Sequence, residues 1–231
     1  MRDSVSEKIR RETESGYNQI AKKFSETRKY FWSDLLWLAD LVKDGDIVLD
    51  FGCGNGRLRN LLVDKEIEYV GVDISDELLK EARKKIVFTQ ENFKKISAGE
   101  TSLAFSGENF NVIFSIATFH HLPGKKYRQQ IAAELYRVLR KEGRLVVTVW
   151  NLRQRKYLKY LWRNWWRKLK GKSQLDWSDC YIPFKDNEGN VFWRYHHAFS
   201  QRSLKKLFEE VGFRKISVRK VGGNLVLVGK K

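Results

Sequence analysis

Short apolar runs alternate with amphipathic stretches along most of this chain. Four of the runs are continuous and lie at residues 47–49, 69–72, 110–115 and 144–150. Continuous runs of this length are typical of strands that are covered on both faces of a parallel sheet. The stretches between them that show helical spacing are residues 57–63, 76–85 and 127–140. Strands and helices that alternate in this way predict an α/β fold with a doubly wound parallel sheet.

The two ends of the chain extend this pattern. Residues 4–24 predict a leading helix, and residues 32–42 predict a second helix before the first strand. Near the other end, a helix is expected over residues 201–211. Two apolar runs follow it, at residues 215–221 and 225–228, and we expect them to form an antiparallel edge of the sheet. A short strand is also expected at residues 87–89.

Composition narrows the class of protein. At 231 residues, of which 42% are hydrophobic, the chain can bury a substantial core. Its two cysteines, Cys53 and Cys180, do not suggest a disulfide framework, so a reducing compartment suits it. No apolar run approaches the roughly 20 residues of a membrane span, and no signal-peptide pattern opens the chain. We therefore expect a soluble cytoplasmic protein without a transmembrane segment.

The most informative stretch is I-V-L-D-F-G-C-G-N-G at residues 47–56, where an apolar run ends in three closely spaced glycines. Glycine lets the backbone turn sharply and approach a ligand, so a nucleotide-type cofactor is expected here. A dinucleotide-binding loop has the spacing G-x-G-x-x-G, whereas this chain has G-x-G-x-G followed by Arg57. Asp50 would repel a pyrophosphate but would attract an ammonium and a sulfonium. The residues thus favour S-adenosylmethionine over a dinucleotide.

A second acid, Asp73, ends the next apolar run. It lies at about the distance from the glycine loop at which a ribose-binding acid is expected, and its carboxylate could accept both ribose hydroxyls. Either acid alone would be weak evidence, because aspartate is common at strand ends and turns. Together with the three glycines, the pair favours a cofactor site.

The motifs D-F-G-C-G-N-G at residues 50–56 and G-V-D-I-S at residues 71–75 resemble those of class I S-adenosylmethionine-dependent methyltransferases. This resemblance implies a Rossmann-like sheet of seven strands with an antiparallel edge strand. A leading helix often covers the cofactor in that class, so Tyr17 and Arg28 are candidates for a lid, although an ordinary structural role is favoured for both. In that class an acid accepts the adenine amino group, and Asn92 stands at the matching position. The resemblance assigns the cofactor to Asp50, Gly52, Gly54, Asn55, Gly56, Asp73, Ile74, Asn92 and Ser115.

Positive charge dominates the chain, with 45 Lys and Arg against 28 Asp and Glu, a formal net charge of +17. A polyanionic partner would explain this balance, and so would solubility. Residues 151–175 hold nine of the cations and no acid. On a helix they form a basic face of Lys156, Lys159, Arg163, Arg167 and Lys170. The apolar face comprises Leu158, Leu161, Trp162, Trp165 and Leu169.

This basic amphipathic helix is compatible with three surroundings. Its basic face could be a solvated surface, or it could bind nucleic acid or an anionic membrane surface. The tryptophan-rich face suits packing on the domain or docking on a membrane. RNA is favoured among these partners.

The segment after the helix resembles a narrower group. D-C-Y-I-P-F at residues 179–184 and R-Y-H-H-A-F at residues 194–199 are similar to motifs of tRNA wobble-uridine carboxymethyl methyltransferases and their prokaryotic relatives. Phe184 and His196 depart from that pattern, in which tryptophan and tyrosine stand. The resemblance implies methyl esterification of a carboxylate on a modified wobble uridine. It assigns catalysis to Arg194 and His197, and substrate binding to Tyr181, Tyr195 and the basic face.

A carboxylate is already ionised at neutral pH and needs no general base. Arg194 would therefore orient it through paired hydrogen bonds, and His197 would donate a hydrogen bond. Arg194 as a structural ion-pair partner and His197 as a packed histidine are the alternatives. The expected partners are tRNA and a small activating protein, with an anionic membrane surface as a further possibility.

These elements predict one domain over residues 1–231. Its parts are N-terminal helices at 1–44, a cofactor-binding core at 45–150, a basic insertion and substrate segment at 151–199, and a C-terminal helix with edge strands at 200–231.

The four histidines form two adjacent pairs, His120-His121 and His196-His197. Because neighbouring side chains diverge and no cysteine or carboxylate cluster completes a site, no metal is expected. Two other functions stay open. One is a small-molecule or lipid O-methyltransferase acting at a membrane surface. The other is a non-catalytic binding subunit of the same fold, against which the intact cofactor loop argues.

Overall fold

The computed structural model describes residues 1–85 and 93–231. Its α-helices are α1 (Asp3–Thr27), α2 (Arg57–Leu61), α3 (Asp76–Lys85), α4 (Lys125–Val138), α5 (Arg155–Leu169) and α6 (Gln201–Glu209). In the same part of the chain, 3₁₀ helices span Ser33–Leu41 and Phe119–His121. The strands are β1 (Ile47–Phe51), β2 (Glu68–Asp73), β3 (Phe93–Lys95), β4 (Phe110–Ile116), β5 (Leu139–Trp150), β6 (Asp179–Lys185), β7 (Val191–His197), β8 (Arg214–Val221) and β9 (Asn224–Lys230).

Within the described residues, seven strands form one sheet in the order β3-β2-β1-β4-β5-β9-β8. The strands from β3 to β5 pair in parallel, whereas β9 pairs antiparallel with both β5 and β8. Helices cover both faces of this sheet. Leu49 of β1 packs on the face that α4 and α6 cover, and Val48 packs on the face that carries α2 and α3. The expected doubly wound α/β fold with an antiparallel edge is confirmed.

The strand order reverses between β1 and β4, which are neighbours in the sheet although β2 and β3 intervene in sequence. In open α/β sheets a crevice forms at such a reversal, beyond the carboxyl ends of the strands. The loops after β1 and β4 therefore flank the place where a ligand is expected.

Strands β6 and β7 form a separate antiparallel hairpin, in which Tyr181 pairs with Tyr195 and Ile182 pairs with Arg194. Ile182 packs in a cluster with Leu161 of α5. Phe192, on the same face but nearer the turn of the hairpin, packs in a cluster with α1. The hairpin therefore brings residues 179–197 against the N-terminal helix, a contact that the sequence pattern did not indicate.

One expected helix differs in type, because the helix expected at residues 32–42 is a 3₁₀ helix over Ser33–Leu41. In the described residues, Phe93–Lys95 forms a strand that pairs in parallel with β2. The strand expected at residues 87–89 lies outside the described residues and stays a prediction.

Candidate functional site

The glycine-rich loop joins β1 to α2 at the sheet reversal. Gly52, Gly54 and Gly56 have φ values of 78°, 53° and 76°, in the left-handed region that suits glycine. Gly52 is also sterically required, because a Cβ there would lie 2.2 Å from Oγ1 of Thr118. This close approach holds the loop after β1 against the loop after β4.

Asp50 is a buried acid with one unused oxygen. Its Oδ2 accepts a hydrogen bond of 2.7 Å from the Tyr69 hydroxyl, whereas Oδ1 has no partner in the part of the chain that the structure describes. Burial raises the pKa of Asp50 to about 7, although the Tyr69 hydrogen bond lowers it. A buried carboxylate oxygen that lacks a donor, and that lines a pocket, suits a cationic ligand group.

Asp73 fastens the glycine loop to the end of β2. Its Oδ2 accepts from the Gly54 N–H at 2.8 Å, and its Oδ1 accepts from the Ser75 N–H at 2.9 Å. Burial raises its pKa, and these backbone donors lower it. Both oxygens are thus already engaged, although each retains capacity for a second hydrogen bond. The Asp73 carboxylate was expected to accept both ribose hydroxyls. In this structure it also holds the glycine loop in its conformation.

A pocket opens beyond the carboxyl ends of β1, β2 and β4. The predicted cofactor residues that line it are Asp50, Gly52, Gly54, Asn55, Asp73 and Ile74. Gly56 does not line the pocket and instead stands at the N-cap of α2. Ser115 is fully buried outside the lining, which takes Ile116, Ala117 and Thr118 from the same strand end.

The adenine contact expected from Asn92 lies outside the described residues. The residues that follow β3 and line the pocket are Ile96, Ala98 and Gly99. Asn92 precedes β3 in the sequence. The strand-end rule applied to Phe93–Lys95 would have found residues 96–99.

Helix α1 closes one side of the pocket. The side-chain amide of Asn55 donates to Oγ of Ser25 and to the backbone oxygen of Arg28, each at 3.2 Å. These bonds fasten the end of α1 to the glycine loop. Tyr17 lines the pocket and is also packed with Ile20 and Ala21, so its role as a lid stays a prediction.

His121 follows β4 and meets Tyr17 across the pocket. Its Nδ1 lies 2.8 Å from the backbone oxygen of Tyr195, and its Nε2 lies 2.8 Å from the Tyr17 hydroxyl. Burial, reinforced by the positive charge of Arg194, lowers the pKa of His121 to about 3. The ring is therefore neutral at pH 7, donates through Nδ1 and accepts from Tyr17.

The guanidiniums of Arg194 and Arg28 both lie over the ring of Phe184. The Arg194 guanidinium carbon is 5.0 Å from the Phe184 ring centroid, and that of Arg28 is 5.3 Å from it. Arg194 is buried, and its Nε has no hydrogen-bond partner among the described residues. In residues 1–85 and 93–231, neither guanidinium forms an ion pair with a carboxylate. The structural alternative of an ion-pair role for Arg194 is thus unsupported in this part of the chain.

His197 and Tyr195 lie on the other face of β7 from Arg194. His197 Nδ1 donates to Oδ1 of the buried Asp179 at 2.7 Å, and neither residue lines the cofactor pocket. Burial lowers the pKa of His197 more than Asp179 raises it, so the ring is neutral and its donor is used. Tyr195 is 2% exposed and packs with Ile9 and Leu175. The donor role expected of His197 and the substrate contact expected of Tyr195 are therefore corrected to structural roles.

Three histidines converge behind the pocket. The ring centroids of His120 and His121 are 4.3 Å apart, and their ligand atoms and those of His196 all lie within 4.8 Å of one another. The expectation that neighbouring histidines diverge is wrong here. Burial lowers the pKa of all three rings, and the positive charge of Arg194 lowers it further. The same positive charge disfavours a metal cation. That no metal binds stays a prediction.

Helix α5 has three faces rather than the two that its sequence suggests. One is buried and packs through Leu161 on the hairpin, while Asn164 on the same face donates to the backbone oxygen of Asp176. A second, the tryptophan face, is exposed and consists of Trp162, Trp165, Trp166 and Leu169. The third is the basic face. Its four residues within α5 are all exposed, namely Lys156, Lys159, Arg163 and Arg167. The predicted apolar face therefore divides, because Leu161 packs inward while Trp162, Trp165 and Leu169 do not. None of the described helices has the length and apolar character to cross a membrane.

Comparison with known proteins shows that this chain is similar to methyltransferases. A family model described as a methyltransferase domain matches residues 49–147. A tRNA (carboxymethyluridine(34)-5-O)-methyltransferase of Arabidopsis thaliana is 30% identical over 138 residues, which are 60% of this chain and 32% of that protein. The chain thus spans about a third of the length of this relative.

Solved structures share the fold. An S-adenosylmethionine-dependent methyltransferase of Methanosarcina mazei has a TM-score of 0.67 at 22% identity, covering 84% of this chain and 96% of that one. A chain from a complex of a methyltransferase activator and a putative methyltransferase of Haloferax volcanii has a TM-score of 0.62 at 17% identity. It covers 94% of this chain and 96% of its own length.

Proposed function

Because this chain carries a class I S-adenosylmethionine-dependent methyltransferase domain, we propose that it esterifies a carboxylate on a modified wobble uridine of tRNA. The acceptor and the RNA are the proposal, and the cofactor is S-adenosylmethionine. The observation that carries the proposal is the pair of guanidiniums, Arg28 and Arg194, that share Phe184 without a carboxylate partner in the described residues.

The pocket residues fit this cofactor. Asp50 offers a buried oxygen without a donor, which suits the ammonium of the methionine moiety. Asp73, which lines the pocket, would accept from the ribose, and Gly52 would leave room for close approach. When bound, the cofactor supplies an electrophilic methyl group on a sulfonium. No protein group has to generate that electrophile.

The acceptor chemistry follows from the unpaired arginines. Two guanidiniums near one ring attract an anion, and a guanidinium can hold a carboxylate through paired hydrogen bonds. A carboxylate is ionised at neutral pH, so the reaction needs no base. What the protein must supply is alignment of the acceptor oxygen. Tyr17 and Arg194 are the candidate groups, since the charge of Arg194 acts directly on Tyr17.

The RNA part of the proposal rests on the basic face and on the names of the relatives. The basic face of Lys156, Lys159, Arg163, Arg167 and Lys170 would contact phosphates. The Arabidopsis thaliana relative is named as acting on tRNA carboxymethyluridine. The Haloferax volcanii complex holds an activator, so a small activating protein is proposed as a partner here as well.

A second candidate is a small-molecule or lipid O-methyltransferase that works at an anionic membrane surface. The exposed tryptophan face beside the basic face favours it, because such a helix can lie in the lipid interface. This candidate shares the cofactor pocket and differs in what α5 touches.

The reaction is tested with tRNA that carries a carboxymethylated wobble uridine and with S-adenosylmethionine labelled in its methyl group. The expected product is an ester, so mild alkali should release the label. Arg194→Lys should reduce turnover while cofactor affinity, measured by calorimetry, stays unchanged, because a lysine cannot form the paired bonds. An alkali-stable product, or full turnover in Arg194→Ala, would refute the carboxylate assignment.

A further inference from the structure

A second concave site lies outside the cofactor pocket. It is a groove of about 930 Å³ between α1, α5 and the β6–β7 hairpin. Its wall on α5 carries Tyr160, Arg163 and Arg167, and its other walls include Lys172, Tyr181 and Trp193. The groove shares Arg163 and Arg167 with the basic face, but Asp50, Asp73, Arg28 and Arg194, on which the proposed reaction rests, do not line it.

Three cations of the groove lack acidic partners among the described residues, whereas Lys8 and Arg11, which also line it, are paired with Glu12 and Glu7. In the described part of the chain, Arg163, Arg167 and Lys172 form no ion pair with a carboxylate. Glu12 of α1 also lines the groove, but it lies 3.8 Å from Lys8 and is partly neutralised by it. The groove therefore has a positive field that an anion can enter.

Aromatic rings alternate with these cations. The guanidinium carbon of Arg163 lies 4.7 Å from the centroid of the Trp193 ring, whose side chain is half-buried at the surface. Tyr160 and Tyr181 line the same space. Cations beside stacking rings in a concave surface are what single-stranded nucleic acid uses, because the cations take phosphates and the rings take bases. A flat bilayer does not fit a concave site, whereas the convex tryptophan face would suit it.

The groove adjoins the cofactor pocket through one ring. Phe192 lines the groove, and its ring centroid is 6.5 Å from that of Tyr17, which lines the pocket. The ring fits there because residue 16 is glycine, where a Cβ would lie 1.8 Å from Cζ of Phe192. Along β7, Phe192 and Arg194 share one face of the hairpin and Trp193 lies on the other, and both Phe192 and Trp193 line the groove.

We propose that this groove binds the unpaired nucleotides that flank the methylated one. The inference rests on the proposed function for the identity of the acceptor, but the groove is a separate site with its own residues. Single strands are favoured over duplex because only unpaired bases can leave their stack and lie on tyrosine and tryptophan rings. Each phosphate that lies between two such bases would meet Arg163, Arg167 or Lys172.

The test uses the full chain and a fluorescently labelled single-stranded RNA of seven nucleotides, with a duplex of the same length as competitor. The groove variant is Arg163→Gln with Arg167→Gln. The matched control is Arg219→Gln with Lys220→Gln, which removes the same charge from exposed positions on the edge strand β8. The groove variant should bind the single strand at least tenfold more weakly, and its log-log salt slope should fall by about 1.4. The control should stay within twofold of the unmodified chain.

A variant that keeps the charge tests the rings. Tyr160→Leu with Trp193→Leu should also weaken single-strand binding, while the salt slope stays unchanged. Equal losses in groove variant and control, or a preference for duplex, would overturn the proposal.

Methyl transfer to the free carboxymethylated nucleoside separates the groove from the reaction. If the nucleoside is methylated and the groove variants bind RNA normally, the groove assignment fails and the proposed reaction stands. If the groove variants lose RNA but no carboxylate is methylated by the unmodified chain, the proposed reaction fails and the groove stands.

Discussion

The hydroxyl of Tyr17 donates to Nε2 of His121 at 2.8 Å, and this bond joins α1 to the loop after β4. The direction of the bond is set on the far side of the ring, because Nδ1 of His121 faces the backbone oxygen of Tyr195, which can only accept. One neutral imidazole thus connects the N-terminal helix, the main sheet and the β6–β7 hairpin. The contact holds Tyr17 at the wall of the cofactor pocket.

Tyr17→Phe should weaken both the fold and the reaction. The change leaves the buried Nε2 of His121 without a donor, which should lower the free energy of unfolding by about 1 to 3 kcal/mol. Turnover at saturating cofactor should fall, because the hydroxyl also acts beside Arg194. Chemical denaturation and single-turnover methyl transfer measure the two effects. Tyr136→Phe, on α4, is the matched control, and turnover equal to that control in fully folded Tyr17→Phe would show that Tyr17 is only structural.

Asp73→Ala should weaken S-adenosylmethionine binding by about 1 to 3 kcal/mol, the range for losing hydrogen bonds to a charged group. Part of the loss comes from the loop, because the backbone N–H groups of Gly54 and Ser75 lose their acceptor. Asp73→Asn keeps an oxygen for one of these donors and should lose less. Calorimetry with the cofactor measures both variants. Binding of NAD in place of S-adenosylmethionine would contradict the cofactor assignment.

The affinity for S-adenosylmethionine should rise as the pH rises through about 7, because burial raises the pKa of Asp50 to about 7 and only the ionised form attracts an ammonium. Asp50→Asn should bind weakly with no such dependence. In the protein without cofactor, rising pH has the opposite effect on stability. A carboxyl whose pKa is raised from about 3.9 binds protons better when folded, so its contribution to stability decreases between that pH and about 7. Calorimetric titrations from pH 6 to 8 measure this dependence. An affinity for S-adenosylmethionine that stays constant over this range would contradict the prediction.

Lys156→Gln with Lys159→Gln should flatten the salt dependence of tRNA binding. Each phosphate contact removed from the basic face should lower the log-log slope by about 0.7 to 0.9. Filter binding between low and moderate salt measures the slope, and liposomes with anionic lipid test the alternative partner. Variants that bind tRNA normally but lose liposome binding would favour the membrane-surface enzyme.

The parts of the site that local sequence signals specify were predicted. The apolar run before Asp50 is typical of a buried strand, and the three glycines that follow are typical of a loop that approaches a ligand closely. Asp73 was found by its spacing, and the fold class followed from the alternation of elements. These signals act within about 30 residues, so no tertiary information is needed to read them.

The remaining parts depend on what packs against what. Tyr195 and Tyr181 stand opposite each other in the hairpin, yet Tyr195 is buried and Tyr181 lines the groove. Periodicity grouped Leu161 with Trp162, although only Leu161 meets the hairpin. A helical pattern shows which side chains share a side but not which side finds a neighbour. The contact of Tyr17 with His121, across 104 residues, gives no local signal at all.

The tryptophan face gives the protein an optical property. Trp162, Trp165 and Trp166 on α5 and the nearby Trp177 are all exposed, so much of the emission from the eight tryptophans arises from indoles in contact with water. Such indoles emit at longer wavelengths than buried ones and are open to soluble quenchers such as iodide. Anything that covers this side of α5 should shift the emission toward the blue and protect it from iodide. Occupants of the cofactor pocket should leave that signal unchanged. The intrinsic tryptophan fluorescence of the unlabelled chain therefore reports on what covers α5.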